Sequence, residues 1–273
     1  MRKNQFFKYF TIFIWLSFIL IPYIWMFITS IKSPNELYTF PLKYFPHKPT
    51  LEGYKLLIET TPFLSYMKNS IIVAIFTVII ALFVAILASY SFSRFDFKGK
   101  MPLSFIFLIT QMFPAILLAI PLFLLMRNLG ILNTPLSLIL AHSTFAVPFS
   151  TWMITGFLNS IPRELDEAAQ IDGCGKLGAL RHVIIPVASP GIIAATIYIF
   201  IYSWNEFLYA LTFTSDIRAR TIPVGLHTFM GEYIIRWDLL TAGGVITGLP
   251  VIIFFMIIQK YLIKGLTEGA VKG

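Results

Sequence analysis

Six long apolar blocks divide this 273-residue chain, and no other feature constrains its fold as strongly. The blocks cover residues 9–31, 69–92, 102–126, 136–158, 188–213 and 241–262. A helix needs roughly 20 apolar residues to cross the hydrocarbon core of a bilayer. Because lipid offers no hydrogen bonds to bare backbone, each block is expected to be helical. The sequence therefore predicts an all-α polytopic membrane protein with six transmembrane helices.

The composition argues against a soluble domain. Hydrophobic residues make up 57% of the chain and charged residues only 12%, whereas a soluble domain carries about 25% charged residues. The net charge of +8 is spread over several short loops, so no nucleic-acid partner is expected. Cys174 is the single cysteine, which excludes an intramolecular disulfide and a thiolate metal cluster.

Basic residues set the predicted orientation. Arg2, Lys3 and Lys8 precede the first block, and Lys and Arg are in excess on the cytoplasmic side, so the N-terminus is expected in the cytoplasm. The first block is too long for a signal-peptide core and is expected to remain as a span. The predicted division is a cytoplasmic N-terminus (1–8), a first transmembrane helix (9–31), an extracytoplasmic loop (32–68), a five-helix core (69–262) with a cytoplasmic loop (159–187), and a cytoplasmic tail (263–273).

The sequence carries none of the common enzyme motifs. It has no G-x-x-x-x-G-K-[ST], so this chain is not expected to bind a nucleotide through a P-loop. Its four histidines fall on different segments, without the spacing of metal ligands. We therefore expect no catalytic residue, no metal site and no cofactor in this chain, and we predict that it is not an enzyme.

Glu206 is the one ionisable residue well inside an apolar block, where a charge is costly and usually faces a bundle interior or a water-filled path. Two interpretations remain open. Trp204, Asn205 and Glu206 line a polar pore in which a hydroxylated solute hydrogen-bonds and stacks, or they form an anchor at the membrane interface. His142 and Gln111 are weaker pore candidates, each better explained by a hydrogen bond between helices.

The segment between the fourth and fifth blocks, ELDEAAQIDGCGKLGALRHVIIP (164–186), is polar and broken by glycines. Acidic residues near its start suit the positive end of a helix dipole, which predicts a first short helix. One narrow face of that helix is expected to hold Leu165, Ala168 and Ala169. Gly173 and Gly175 end the helix and permit a sharp turn.

A second short helix is expected after the turn, with Leu177, Leu180 and Ile184 on one side. Pro186 leads into the next span. The loop has a net charge of −1, whereas binding to anionic lipid favours a basic face. A small apolar face with a charged rim is typical of a helical surface that enters another protein's groove. The sequence therefore predicts a cytoplasmic docking loop.

These residues resemble the EAA loop of ABC-importer permeases. The likeness consists of Glu167-Ala168-Ala169, three further residues, Gly173, and then Ile184 and Pro186. Three other segments resemble the carbohydrate branch, in particular the smaller permease subunit of maltose-type importers: Asn69-Ser70, SWNEFLYAL (203–211) and QKYLIKGLTEGAVKG (259–273). Cys174 and Gly175 depart mildly from the family, which commonly has Ala and Ser there, but both residues are small.

The resemblance implies the transmembrane fold of type I ABC importers in a bacterial cytoplasmic membrane, with both termini in the cytoplasm. Besides membrane lipid, the implied partners are a second permease subunit, two copies of an ATPase subunit that bind ATP and Mg, and an extracytoplasmic solute-binding protein. The residues implied to couple to the ATPase are Glu167, Ala168, Ala169, Asp172, Gly173, Leu177, Ile184 and Pro186. By the same likeness, the tail beyond Lys264 reaches the ATPase surface.

The cargo implied by the resemblance is a sugar or oligosaccharide, imported at the expense of ATP. Glycerol-3-phosphate is an alternative, although a phosphate ester favours Arg or Lys in the pore, and the inner parts of the spans hold neither. An ion-coupled carrier or channel is a more distant alternative. Such proteins place several ionisable groups at mid-membrane, whereas this chain places only Glu206 inside a block.

Overall fold

The computed structural model describes the backbone of residues 2–231 and 233–270, and the side chains of residues 5–231 and 233–261. The helices are α1 (Arg2–Ser30), α2 (Pro34–Leu37), α3 (Glu52–Thr60), α4 (Phe63–Arg94), α5 (Lys100–Met112), α6 (Ala115–Asn128), α7 (Pro135–Asn159), α8 (Glu164–Ile171), α9 (Lys176–Ala179), α10 (Ile185–Val187), α11 (Ser189–Asn205), α12 (Leu208–Phe213), α13 (Ile222–His227) and α14 (Trp237–Ala270). A π-helical turn (Leu180–Ile184) joins α9 to α10, and a 3-10 turn (Ile217–Ala219) precedes α13.

Four of these helices are long and apolar enough to cross a bilayer: Gln5–Ser30 in α1, α4, α7, and Trp237–Tyr261 in α14. Two more spans result if each of two bent pairs counts as one span. These pairs are α5 with α6, and Lys176–Val187 with α11. The predicted number of six spans therefore agrees with the structure when broken helices are accepted as spans.

The third apolar block is not one continuous helix. α5 and α6 meet at an angle of 101°, and the break falls at Phe113 and Pro114. Proline lacks an N–H and disfavours the helical region for the residue before it, and Phe113 accordingly has a ψ of 126°. Pro121 lies inside α6 and Pro148 inside α7, neither of which ends there. Of these three prolines, only Pro114 coincides with a sharp bend of the helix.

The fifth apolar block is also interrupted, so the prediction of one helix over 188–213 was wrong. α11 ends at Asn205, Glu206 has an extended backbone (φ −66°, ψ 126°), and α12 resumes at Leu208. The second span also differs from its predicted bounds. α4 begins at Phe63, inside the segment predicted as the loop 32–68.

α4, α7 and α11 pack together and form the centre of the bundle. Ala74, Ala81 and Ala85 on α4 are completely buried. Small residues let helices approach closely, and the resulting van der Waals packing is one of the forces that associate helices in lipid. The packed centre thus depends on side-chain size as well as on hydrophobicity.

α1 lies largely outside this centre, and none of the residues in its most apolar stretch is buried. It contacts α14 near its C-terminal end, where the Sδ atom of Met26 lies 2.8 Å from the position that a Cβ would take at Gly244. A glycine at 244 thus lets the two helices come together. The predicted tail 263–273 continues α14 as far as Ala270, but the side chains beyond Tyr261 lie outside the described residues, so its contact with an ATPase stays a prediction.

Candidate functional site

The loop between α7 and α11 forms two helical pieces joined by a tight turn. Gly173 occupies the turn with a φ of +90°, a conformation that costs glycine little and other residues considerably more. The Gly173 N–H donates to the carbonyl of Gln170 (3.1 Å), and the Cys174 N–H donates to that of Ala169 (2.9 Å). These bonds close the end of α8, so Gly173 fixes the direction in which α9 leaves the turn.

α8 has a buried side and an exposed side. Asp166 and Ala169 are buried, whereas Glu167 and Ala168 are exposed and Leu165 is 37% exposed. Residues three apart share a helix face, so Ala169 follows Asp166 inward and Ala168 stays with Leu165 outside. The predicted face of Leu165, Ala168 and Ala169 is therefore divided between the exposed and the buried sides of α8. The side of α8 that carries Asp166 and Ala169 faces the bundle, where Asp166 makes the contact described below.

The second helical piece also departs from the prediction that Leu177, Leu180 and Ile184 share one side. Leu180 and Ile184 are buried, whereas Leu177 is 71% exposed. Leu177 lies in the first turn of α9, and helical side chains tilt towards the N-terminus. It therefore points towards the glycine turn and away from the bundle.

Four exposed apolar residues flank the glycine turn, and Ile171 among them is 86% exposed. We call them the docking surface: Leu165, Ala168, Ile171 and Leu177. Asp172 is exposed at the end of α8, where its N–H donates to the carbonyl of Ala168 (3.0 Å). Pro186 is exposed in α10. The predicted coupling residues thus divide into an exposed group and a pair that packs inward, Ala169 and Ile184.

A buried ion pair, which the sequence analysis did not identify, fixes α8 to the end of α4. The Nε atom of Arg94 lies 2.8 Å from the Oδ2 atom of Asp166, and the two side chains are 7% and 9% exposed. The atoms are not aligned as in a hydrogen bond, so charge attraction is the main interaction. The Tyr90 hydroxyl donates to the Oδ1 atom of Asp166 (2.9 Å). Nothing in the local sequence pattern relates Arg94 to Asp166, because the contact joins distant parts of the chain.

The same arginine holds the end of α7. Its guanidinium donates to the carbonyls of Leu158 and Ile161, each at 3.1 Å. A cavity of about 210 Å³ lies beside these groups and is bordered by Glu167 and Lys176. Arg94 therefore joins α4, the last turn of α7 and α8 through one side chain.

Within the apolar spans, the structure brings together two of the five pore candidates, His142 and Glu206. The Nε2 atom of His142 lies 3.1 Å from the Oε2 atom of Glu206, and its Nδ1 atom lies 2.8 Å from the hydroxyl oxygen of Ser203. Glu206 also accepts the backbone N–H groups of Tyr209 (2.8 Å) and Ala210 (3.1 Å). Its side chain is 7% exposed, so in this structure it caps α12 and links two spans.

The other three pore candidates lie apart from this pair. Trp204 is buried among apolar side chains, and its ring stacks on that of Phe200 at 5.5 Å between centroids. Asn205 is exposed and donates to the carbonyl of Ile201 (3.0 Å) in its own helix. Gln111 donates to the carbonyl of Phe145 on α7 (3.0 Å). A solute-binding role for these side chains stays a prediction.

Comparison with known proteins gives one family match. Residues 78–268 match the family described as "Binding-protein-dependent transport system inner membrane component". The sulfoquinovosyl glycerol transport system permease protein SmoH of Agrobacterium fabrum is 37% identical over 254 residues, which is 93% of this chain and 89% of that protein. The trehalose/maltose transport system permease protein MalG of Thermococcus litoralis is 37% identical over 257 residues, covering 93% and 92% of the two chains.

The fold is similar to that of solved transporter structures. A chain of a bacterial ABC transporter involved in the import of the acidic polysaccharide alginate has a TM-score of 0.81 at 24% identity, with 95% of this chain and 96% of that chain covered. A chain of the MetNI methionine ABC transporter in an inward-facing conformation has a TM-score of 0.60 at 19% identity, with 78% and 97% covered. At these identities the likeness concerns the fold, which is that of type I ABC importer transmembrane domains.

Proposed function

Since this chain belongs to the family of binding-protein-dependent transport system inner membrane components, we propose that it couples a separate ATPase to the import of a sugar or oligosaccharide. It is a multi-pass membrane permease of the sugar ABC transporter family, and it resembles the permease proteins of that family over nearly its whole length. The proposal concerns the finer points, which are the coupling route, the partners, the orientation and the cargo.

The docking surface is the observation that supports coupling. Ile171 and Leu177 are 86% and 71% exposed, next to a turn whose geometry Gly173 fixes. Exposed apolar side chains with a charged surround mark a contact with another protein. A short helix of eight residues with an exposed apolar side suits a groove in a partner, and in this family that partner is the ATPase subunit.

In the proposed cycle this chain contributes movement and a path. Closure of two ATPase subunits carries the docking surface with it, and the transmembrane helices change from an inward-facing to an outward-facing arrangement. An extracytoplasmic binding protein delivers the solute, which is released inside when the ATPase subunits separate. ATP and Mg are held by the ATPase. A second permease subunit completes the path, and both termini of this chain lie in the cytoplasm.

A sugar or oligosaccharide is the proposed cargo. The relatives include permeases named for sulfoquinovosyl glycerol, for trehalose and maltose, and for trehalose in Mycobacterium tuberculosis. Each of these names refers to a compound with a glycosidic bond. The glycerol-3-phosphate alternative receives no support from the inner parts of the spans, since they hold no Arg or Lys.

The first experiment is to purify the tagged chain at native expression from mildly solubilised membranes and to identify the associated proteins by mass spectrometry. We expect an ATPase subunit and a second permease. The accompanying solute-binding protein is then screened against oligosaccharides and glycerol-3-phosphate. A chain that emerges alone, under conditions that keep a known ABC importer intact, would overturn the coupling proposal.

A further inference from the structure

The structure places a buried joint behind the docking surface, and its residues are Tyr90, Arg94 and Asp166. We propose that this joint makes α4 follow the docking surface, so that Arg94 and Asp166 are positioning residues for coupling. The inference rests on the proposed function, because it assumes that an ATPase moves α8.

The chain itself joins the docking loop only to α7 and α11. A displacement of α8 reaches α4 along the chain only through α7 or α11, which pack on α4 in the centre of the bundle. The contact between Arg94 and Asp166 (2.8 Å) adds a direct route from α8 to α4. Because Arg94 also donates to the carbonyls of Leu158 and Ile161, α8 and the end of α7 are held to α4 together.

Asp166 faces away from the docking surface. It is buried on the inner side of α8, whereas Leu165, Glu167 and Ala168 are exposed. It therefore touches the rest of this chain and not a partner that sits on the docking surface. This separation of faces distinguishes a joint inside the permease from a contact with the ATPase.

The burial of the joint favours a persistent contact between its charged side chains. Both charged side chains are less than one-tenth exposed, and water therefore competes little with their attraction. The Tyr90 hydroxyl satisfies the other carboxylate oxygen at 2.9 Å. Removing one partner of such a pair leaves a buried charge without compensation, which is far costlier than losing an exposed pair.

Two further contacts attach both sides of the loop to the same place. Before α8, Arg163 donates to the carbonyl of Ser93 (3.2 Å). After the glycine turn, the Nζ atom of Lys176 lies 4.6 Å from the centroid of the Phe95 ring. The loop is thus held at its start, in its first helix and after its turn, always by the end of α4.

The direct test measures whether α4 and α8 move together. Spin labels are placed at the exposed positions Ser91 on α4 and Glu164 on α8, with Cys174 replaced by Ala, in the importer assembled with its ATPase. Distances between the labels are recorded without nucleotide and after addition of MgATP. In the labelled importer that keeps Asp166, which we call the parent, we expect the same distance distribution with and without MgATP. In Asp166→Asn we expect the distribution to shift or broaden when MgATP is added.

Binding-protein-stimulated ATP hydrolysis gives a second readout. We expect Asp166→Asn to lose stimulation by roughly ten-fold, within the range typical of coupling between sites, while the ATPase still co-purifies. The matched control is Asp96→Asn, which removes the nearby exposed ion pair with Lys100 (3.1 Å, Asp96 82% exposed). We expect both readouts to be unchanged in this control.

The outcomes separate the joint from the proposed function. Unchanged label distances and unchanged stimulation in Asp166→Asn, with an ATPase bound, would refute the joint alone. If Asp166→Asn does not assemble, Tyr90→Phe is measured instead. This variant keeps the ion pair and loses only the hydroxyl, which donates to Asp166 (2.9 Å) and to the carbonyl of Lys176 (3.4 Å). A smaller loss of stimulation in Tyr90→Phe supports the joint, and full stimulation overturns it. A parent chain that retains no ATPase would overturn both proposals.

Discussion

His142 on α7 and Glu206 after α11 meet between two spans, with 3.1 Å between Nε2 and Oε2. The carboxylate also accepts two backbone N–H groups at the start of α12. A break in a transmembrane helix exposes backbone groups that lipid cannot satisfy. The interruption of the fifth span is therefore compatible with the membrane because Glu206 supplies acceptors at the break and His142 holds it in place.

We predict that Glu206→Ala destabilises the bundle. Loss of a cap costs about 1 kcal/mol, and leaving the buried Nε2 atom of His142 without a partner costs about 1–3 kcal/mol. The expected result is a lower apparent melting temperature of the purified protein in detergent. Asn205→Ala serves as the control, because the exposed Asn205 side chain bonds only within its own helix. Equal melting temperatures for both variants would contradict the structural role of Glu206.

We predict that Gly173→Val uncouples ATP hydrolysis from transport while the protein still inserts. No described atom lies within 4 Å of a Cβ built at Gly173, so the cost is one of backbone conformation at φ +90° and not of collision. That cost is about 1–2 kcal/mol for a residue with a Cβ, and relief of the strain would redirect α9. Transport and ATP hydrolysis are measured together in proteoliposomes.

Gly175→Val is the matched control for the turn. Gly175 also has open space around its Cβ position within the described structure, but its φ is −71°, which any residue adopts. We expect Gly175→Val to keep transport and ATP hydrolysis in their normal ratio. If Gly173→Val behaves like Gly175→Val, the turn geometry is not what the coupling loop requires.

We predict that Leu177→Asp weakens association with the ATPase. A charge at the centre of an apolar contact removes a hot spot, at a cost of about 2 kcal/mol or a roughly thirty-fold weaker affinity. Titration of the ATPase against the purified permease measures the effect. Ile217→Asp is the control, because Ile217 is a comparably apolar exposed residue (53%) on the loop between α12 and α13. Equal affinities in the two variants would place the ATPase contact elsewhere.

We predict that Gly244→Leu and Gly248→Leu have different effects, although the two glycines share one face of α14. At Gly244 a Cβ would lie 2.8 Å from the Sδ atom of Met26, whereas no described atom lies within 4 Å of one at Gly248. Gly244→Leu should therefore push α1 away and increase the access of a thiol reagent to a cysteine placed at the buried Thr29, which shares the helix face of Met26. Gly248→Leu should leave that labelling rate unchanged, and an equal increase would contradict the observed contact.

Local sequence predicts much of the docking loop. Residues 164–186 alone indicate the glycine turn, the short helices and the likeness to the EAA loop, because caps, turn glycines and a motif are local properties. The match of residues 78–268 confirms the family resemblance. Helical spacing nevertheless grouped Ala169 with Leu165 and Leu177 with Leu180, and in both cases the fold separated them.

The sequence by itself determined the class of this protein, its six apolar blocks and its family, because hydrophobic length and short motifs do not depend on distant residues. The tertiary structure decided the 101° bend of the third span, the inward side of α8, the pairing of His142 with Glu206 and the joint of Arg94 with Asp166. In lipid the outer face of a helix is as apolar as its inner face, so hydrophobic periodicity does not tell which side packs inward. Only the positions of neighbouring helices bring such partners together.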